Sequence, residues 1–142
     1  MNYRITPLQD EDIESFRRTY LNALEIDWKT LEGINDREIW KNNFKTWIRE
    51  SFTIFLLKVD ESIVGYIAGD STRILHVWVQ REFRCNQYGK KLVEEFLKSQ
   101  SNKGLNEFTL KTYDENVGFF KKIGATIQSY SSNFSILKFE NN

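Results

Sequence analysis

The sequence predicts an α+β domain around a mixed, mostly antiparallel sheet, and three observations lead there. Apolar residues recur at helical spacing in the opening third, at Ile13, Phe16, Tyr20, Leu21 and Leu24 and again at Trp40, Phe44, Trp47 and Ile48. The pattern then changes to strand-length runs, 53–59 and 63–68, separated by the turn Asp60-Glu61-Ser62. Later a helical stripe (Leu92, Val93, Phe96, Leu97) falls between two further strands, and a helical crossover makes its flanking strands parallel.

In order, residues 2–6 read as a short strand and Asp10 as the N-cap of the first helix. Asn35-Asp36-Arg37-Glu38 has the shape of a capping box and announces the second helix. The hairpin follows, Gly69-Asp70-Ser71 turns again, and Arg73 to Val79 forms a fourth strand. Arg84 to Lys90 opens the third helix, which ends near Gly104. Phe108 to Thr112 is a fifth strand, and Glu115 to Ile123 a short helix with Gly124 as its C′ residue. Thr126 to Tyr130 and Phe134 to Phe139 close the chain as a hairpin around Ser131-Ser132-Asn133. The order is β-α-α-β-β-β-α-β-α-β-β, and with no linker visible the reading is a single domain over residues 1–142.

Composition narrows the function. Lys plus Arg equals Asp plus Glu, so the formal net charge is zero, which speaks against a nucleic-acid partner. One Cys excludes an internal disulfide, and one Cys with one His cannot build a Cys/His zinc site; no metal is expected. The polar, acidic start lacks the order of a signal peptide, and no apolar run approaches the ~20 residues of a membrane span. The expectation is a cytoplasmic protein with no membrane partner.

One stretch carries chemistry. Val77-Trp78-Val79 ends a strand, and Arg84-x-x-Gln87-x-Gly89 then opens a helix. Free backbone N–H groups and the helix dipole make such a loop an anion site. Arg81, Arg84, Lys90 and Lys91 are the one basic cluster in a neutral chain, and Gly89 lets a diphosphate approach the backbone. The loop is neither a P-loop nor a dinucleotide fingerprint, because it lacks the required glycines. Cys85 has no His-based partner in view and reads as a loop thiol.

From Val79 to Leu92 this stretch resembles the acetyl-CoA signature of the GNAT acyltransferases, Val-x-Pro followed by Arg/Gln-x-x-Gly-x-Gly/Ala at a helix start. Ile63-Val-Gly-Tyr-Ile and Phe119-Phe-Lys-Lys-Ile-Gly-Ala125 are similar to two further family segments, and the element order matches over nearly the whole chain. There are departures. Gln87 replaces the first signature glycine, Arg81 the proline, Phe120 a frequent tyrosine, and the last helix is about one turn short.

The resemblance implies an N-acetyltransferase that passes an acetyl group from acetyl-CoA directly to a primary amine on a small molecule or peptide. In that reading the fourth and fifth strands splay. Backbone groups of Val77, Trp78 and Val79 hold the pantetheine arm, and one N–H polarises the thioester carbonyl. Arg84, Cys85, Asn86, Gln87, Tyr88, Gly89 and Lys90 surround the diphosphate, and Asn116 and Phe120 stand at cofactor-contacting positions. Phe120 cannot protonate the departing thiolate, so Tyr113 and Tyr130 are the candidate acids. His76 is a candidate base, although the acceptor-facing parity is that of Arg73 and Leu75, and a lone His among apolar neighbours is more often structural. Glu25, Asp27 and Glu32 are candidates for holding the acceptor amine. The alternative is a non-catalytic module of the same fold that binds CoA or acyl-CoA. The C-terminal hairpin would leave a sheet edge on which a homodimer could pair.

Overall fold

Strand alternation builds a first sheet whose faces bury different sets of residues. The computed structural model describes residues 2–27, 37–130 and 134–140. β1 (Tyr3–Pro7), β2 (Thr53–Val59), β3 (Ser62–Gly69) and β4 (Ile74–Val79) are antiparallel neighbours in that order. The β2–β3 turn places Asp60 at φ 48° and Glu61 at φ 74°. Two successive left-handed residues define a type I′ turn, whose twist matches that of the strands it joins.

Leu56 and Leu57, adjacent on β2, enter opposite clusters. On one face lie α1 (Ile13–Asp27) and α2 (Arg37–Arg49), which bury Phe16, Tyr20, Phe44 and Trp47 against Leu56, Tyr66 and Trp78. The other face takes α3 (Tyr88–Ser101) through Leu92, Val93 and Phe96. That second cluster continues into Phe108, Leu110, Leu137 and Phe139. These belong to a second sheet of β5 (Glu107–Tyr113), β6 (Thr126–Tyr130) and β7 (Phe134–Glu140), in the order β5-β7-β6. A short α4 (Val117–Lys122) carries Phe120 into the same cluster.

Phe16, Tyr20, Phe44, Trp47, Leu92, Val93 and Phe96 are buried where their helical spacing puts them, while the side chains of Leu24 and Trp40, the Asn35-Asp36 start of the capping box and the Ser131-Ser132-Asn133 turn lie outside the described residues; two details differ from the expectation. Asp10 does not cap the first helix. A 3₁₀ turn, Asp10–Asp12, precedes α1, and the Asp12 carboxylate accepts the Gln9 N–H at 3.1 Å. The last helix is split by a 3₁₀ turn, Asp114–Asn116, before α4. The break between the sheets falls between β4 and β5, the two strands expected to splay, and among the described residues a single bridge joins them.

Asp12 also ties α1 to the sheet. Its carboxylate accepts a hydrogen bond from Lys58 Nζ at 2.9 Å, with both side chains largely buried. Burial alone would raise the Asp12 pKa, but the bonds from Lys58 and from the Gln9 N–H outweigh it and hold the carboxyl below its ordinary value near 3.8. A depressed carboxyl pKa stabilises the fold above the unfolded-state value and ceases to do so as pH falls through the folded one. Asp12→Asn should therefore cost ~3 kcal/mol at pH 7, since it strands a buried lysine. In urea titrations the gap from wild type should begin to close as the pH drops below ~4 and vanish only once it has fallen through the depressed folded-state pKa, where the wild-type carboxyl is also neutralised.

Candidate functional site

β4 and β5 meet at a single point. Arg73 and Thr109 form a parallel bridge, and the Thr109 N–H donates to the Thr72 carbonyl at 3.0 Å. Beyond it β4 is the last strand of the first sheet and β5 the first of the second. No further ladder joins them among the described residues, so alternate N–H and C=O groups of both strands face a gap.

A β-bulge shapes the β4 side of that gap. Ala68 pairs with His76 and Gly69 with Ile74, so Leu75 is the extra residue. Leu75 and His76, though adjacent, both turn toward the α1–α2 cluster. The bulge needs Gly69, because a Cβ there would lie 2.5 Å from the Arg73 carbonyl oxygen and 2.5 Å from the Phe96 ring. The turn before β4 is pinned from two sides. The Asp70 carboxylate accepts the N–H groups of Thr72 and Arg73 at 2.9 and 2.8 Å. Gln100 on α3, fully buried, donates to the Asp70 carbonyl at 3.0 Å and accepts from the Thr53 hydroxyl at 3.2 Å.

At the open end of β4 the chain makes a 3₁₀ turn, Arg81–Phe83, and enters α3. Cys85 at φ 69° and Gln87 at φ 63° are left-handed. The first bond into α3 is Lys91 N–H to the Gln87 carbonyl at 3.1 Å. The N–H groups of residues 85–90 have no backbone acceptor among the described residues. Left-handed turns leading into a helix start are the geometry in which N–H groups converge on an anion, so the loop fits a phosphate-bearing ligand. Gly89 keeps the approach open: a Cβ there would already sit 2.9 Å from the tip of Phe119.

The basic cluster is less concentrated than its sequence implies. Arg84 Nε donates to the Val79 carbonyl at 2.7 Å, bracing the loop against the strand end. Lys91 Nζ donates to the Tyr3 hydroxyl at 2.7 Å, a bond that raises the lysine pKa. Tyr88 is buried and packs against Tyr3 at 5.0 Å, which anchors the first turn of α3. Cys85, Asn86, Gln87 and Lys90 are exposed, and the Asn86 amide donates to the Phe83 and Arg84 carbonyls at 3.3 Å.

The other sequence candidates separate by position. His76 is buried among Tyr20, Trp47 and Tyr66, with its Nδ1 3.1 Å from the Tyr66 hydroxyl. Phe120 is buried edge-on to Phe139, within the core. Asn116 is exposed at the end of the 3₁₀ turn before α4. Tyr113 pairs with Phe134 and stacks on it at 4.9 Å, whereas Tyr130 pairs with Ser135, so the two tyrosines lie on opposite faces of the second sheet. Tyr130 is 74% exposed. The side chains of Glu25 and Asp27, and all of Glu32, lie outside the described residues.

Sequence reasoning missed a cleft of about 480 Å³ astride the β4–β5 junction. Among the described residues Asn43, Thr46, Trp47 and Phe52 line it from α2 and the turn after it, Arg73 from the bridge just before β4, Ile74 and Leu75 from β4, Thr109 and Lys111 from β5, and Ile136 from β7. Arg73 and Leu75 are the residues of the expected acceptor-facing parity, and His76 is not among the lining. Tyr113 shares its strand face with Thr109 and Lys111. A lysine between the apolar residues of β5 was the available signal, because its alternation from Leu110 puts it on the face away from the core.

Gln87 is strained where glycine would not be. A left-handed conformation costs a non-glycine residue ~1–2 kcal/mol, partly returned as lower unfolded-state entropy. Gln87→Gly should raise unfolding stability by ~0.5–1 kcal/mol in denaturant titrations.

No curated protein sequence matches this chain. Solved structures match it over almost its full length. N-acetyltransferase PaiA of Thermoplasma acidophilum, solved with coenzyme A, is 20% identical with TM-score 0.73, covering 99% of this chain and 100% of that one. Ard1 of Thermoplasma volcanium is 26% identical with TM-score 0.71, covering 99% and 98%. YncA of Salmonella typhimurium, solved with acetyl-CoA, is 13% identical with TM-score 0.72, covering 99% and 94%. The family model for the acetyltransferase (GNAT) domain matches residues 9–132. With the parted strands, the bulge and the helix-start loop in place, the chain belongs to the GNAT acetyltransferase family.

Proposed function

We propose that this protein is an acetyl-CoA-dependent N-acetyltransferase that acts on a primary amine by direct attack. The observation that carries the reading is one continuous track. The edge of β4 that parts from β5 runs directly into a loop whose amide N–H groups at residues 85–90 lack backbone acceptors among the described residues. Family membership supports it, as do the coenzyme A and acetyl-CoA complexes of two similar structures.

Acetyl-CoA would supply an activated thioester. The chain's contribution is placement. The loop amides and the start of α3 hold the diphosphate, with Gly89 leaving space for it. The open edge at Val77, Trp78 and Val79 hydrogen-bonds the pantetheine arm, and an N–H beside the bulge polarises the thioester carbonyl. The amine reaches that point from the α1–α2 face through the cleft. It must lose a proton to attack, and the thiolate it displaces must gain one. Tyr113 shares the cleft's strand face and is the hydroxyl assigned to the thiolate, because Phe120 has no proton to give.

The same absence of a donor at Phe120 favours, as a second reading, a module that binds acyl-CoA without turnover. The readings separate in two measurements. Acetyl-CoA at ~100 times its dissociation constant should add ~2.7 kcal/mol of stability in a thermal-shift assay. Primary amines should then release free CoA thiol, and Tyr113→Phe should lower kcat ~10²-fold while leaving acetyl-CoA affinity intact. Binding without thiol release across the amines favours the binding module. Absence of acetyl-CoA binding refutes both readings.

A further inference from the structure

Given acetyl-CoA as the ligand of the β4–β5 gap, the reading on which this inference rests, we propose that Phe119 is the platform on which its adenine ring stacks. The contact would lie where the ligand leaves the gap, beyond the loop amides.

Topology places Phe119 there. β4 leads into α3, and β5 leads through a 3₁₀ turn into α4. The strands meet near their starts, at Arg73 and Thr109, so both helices begin at the end where the strands part. Phe119 reaches across from α4 to α3, with its Cζ 2.9 Å from the point a Cβ on Gly89 would occupy. Gly89 belongs to the helix end of the loop, the end away from β4. A ligand whose pantetheine follows β4 and whose diphosphate meets residues 85–90 carries its nucleoside on that far side.

The two consecutive phenylalanines of α4 divide their tasks. Phe120 is buried edge-on to Phe139, whereas Phe119 is 42% exposed. Phe120 meets Phe119 at 5.0 Å and 79°, which braces the exposed ring from the core side. A single exposed aromatic is ordinary and carries little by itself. Gly118, beside it, is the second observation. A Cβ added there would meet nothing within 4 Å among the described residues, and its backbone is not left-handed. Neither packing nor conformation thus calls for glycine, in a helix that glycine weakens relative to alanine. What the missing side chain does provide is clear space next to the Phe119 ring. A purine laid on an aromatic face needs that clearance.

Acetyl-CoA binding to the full chain is measured by calorimetry, and the ligand's own proton resonances by NMR. In wild type the adenine H2 and H8 signals should move upfield on binding, through the ring current of Phe119, without a matching shift of the pantetheine methyl signals. Phe119→Leu keeps apolar bulk but has no π face. It should weaken binding ~10-fold and abolish the upfield shift, while Phe119→Tyr keeps both. Gly118→Leu should also bind ~10-fold more weakly although its unfolding stability rises, a combination that a merely structural role does not give. That variant decides the matter if Phe119→Leu fails to fold. Phe119→Leu or Gly118→Leu binding within ~2-fold of wild type, or an adenine shift that survives either change, would overturn the proposal. Wild type that binds acetyl-CoA with its adenine signals unmoved overturns this inference alone. Wild type that does not bind acetyl-CoA overturns the cofactor reading and this inference together.

Discussion

The site depends on a single backbone contact, the bridge between Arg73 and Thr109. Two parallel strands that pair at one end and then part must leave unpaired N–H and C=O groups facing each other. Such groups are costly to bury without partners. A fold that keeps them must therefore give them water or a ligand rather than pack them shut. The clamp around the bridge is accordingly dense. Asp70 gathers the turn, Gln100 ties that turn to α3, and Gly69 lets Phe96 press against it. Those contacts hold the closed end, and among the described residues no backbone bridge joins β4 to β5 at the open one.

Packing explains why the parting does not split the domain. Phe96, Phe108, Leu137 and Phe139 belong to one cluster spanning α3 and both sheets, so apolar contact behind the gap replaces the missing ladder. The opposite face is closed by aromatic packing of α1 and α2 on the first sheet, with His76 enclosed by Tyr20, Trp47 and Tyr66. His76 thus serves as a packed polar residue beside the bulge. The gap thus lies between two packed walls, and groups held by packed elements are positioned more precisely than groups on loops.

Much of this was legible in the sequence, and the remainder was hidden for identifiable reasons. Helical spacing located Phe16, Tyr20, Phe44 and Trp47, and strand-length runs located the meander, because both signals are local. The bulge was not legible, since strict alternation cannot place Leu75 and His76 on one face; Gly69 opposite them was its only trace. Nor does Gln87 advertise its left-handed backbone, which a glycine would have done. The cleft was hardest to see, because its lining comes from positions as far apart as Asn43 and Ile136. Nor does a sequence reveal that within the basic cluster Lys91 turns to Tyr3 and Arg84 braces a carbonyl.

The central claim is that the gap between β4 and β5, with the loop beyond it, is the acetyl-CoA track. Backbone amide NMR of the full chain with and without acetyl-CoA tests it most directly. The claim predicts shifts concentrated at residues 77–79 and 85–90, with slowed amide exchange at the same positions. Binding that leaves those amides unmoved and perturbs another surface would contradict it.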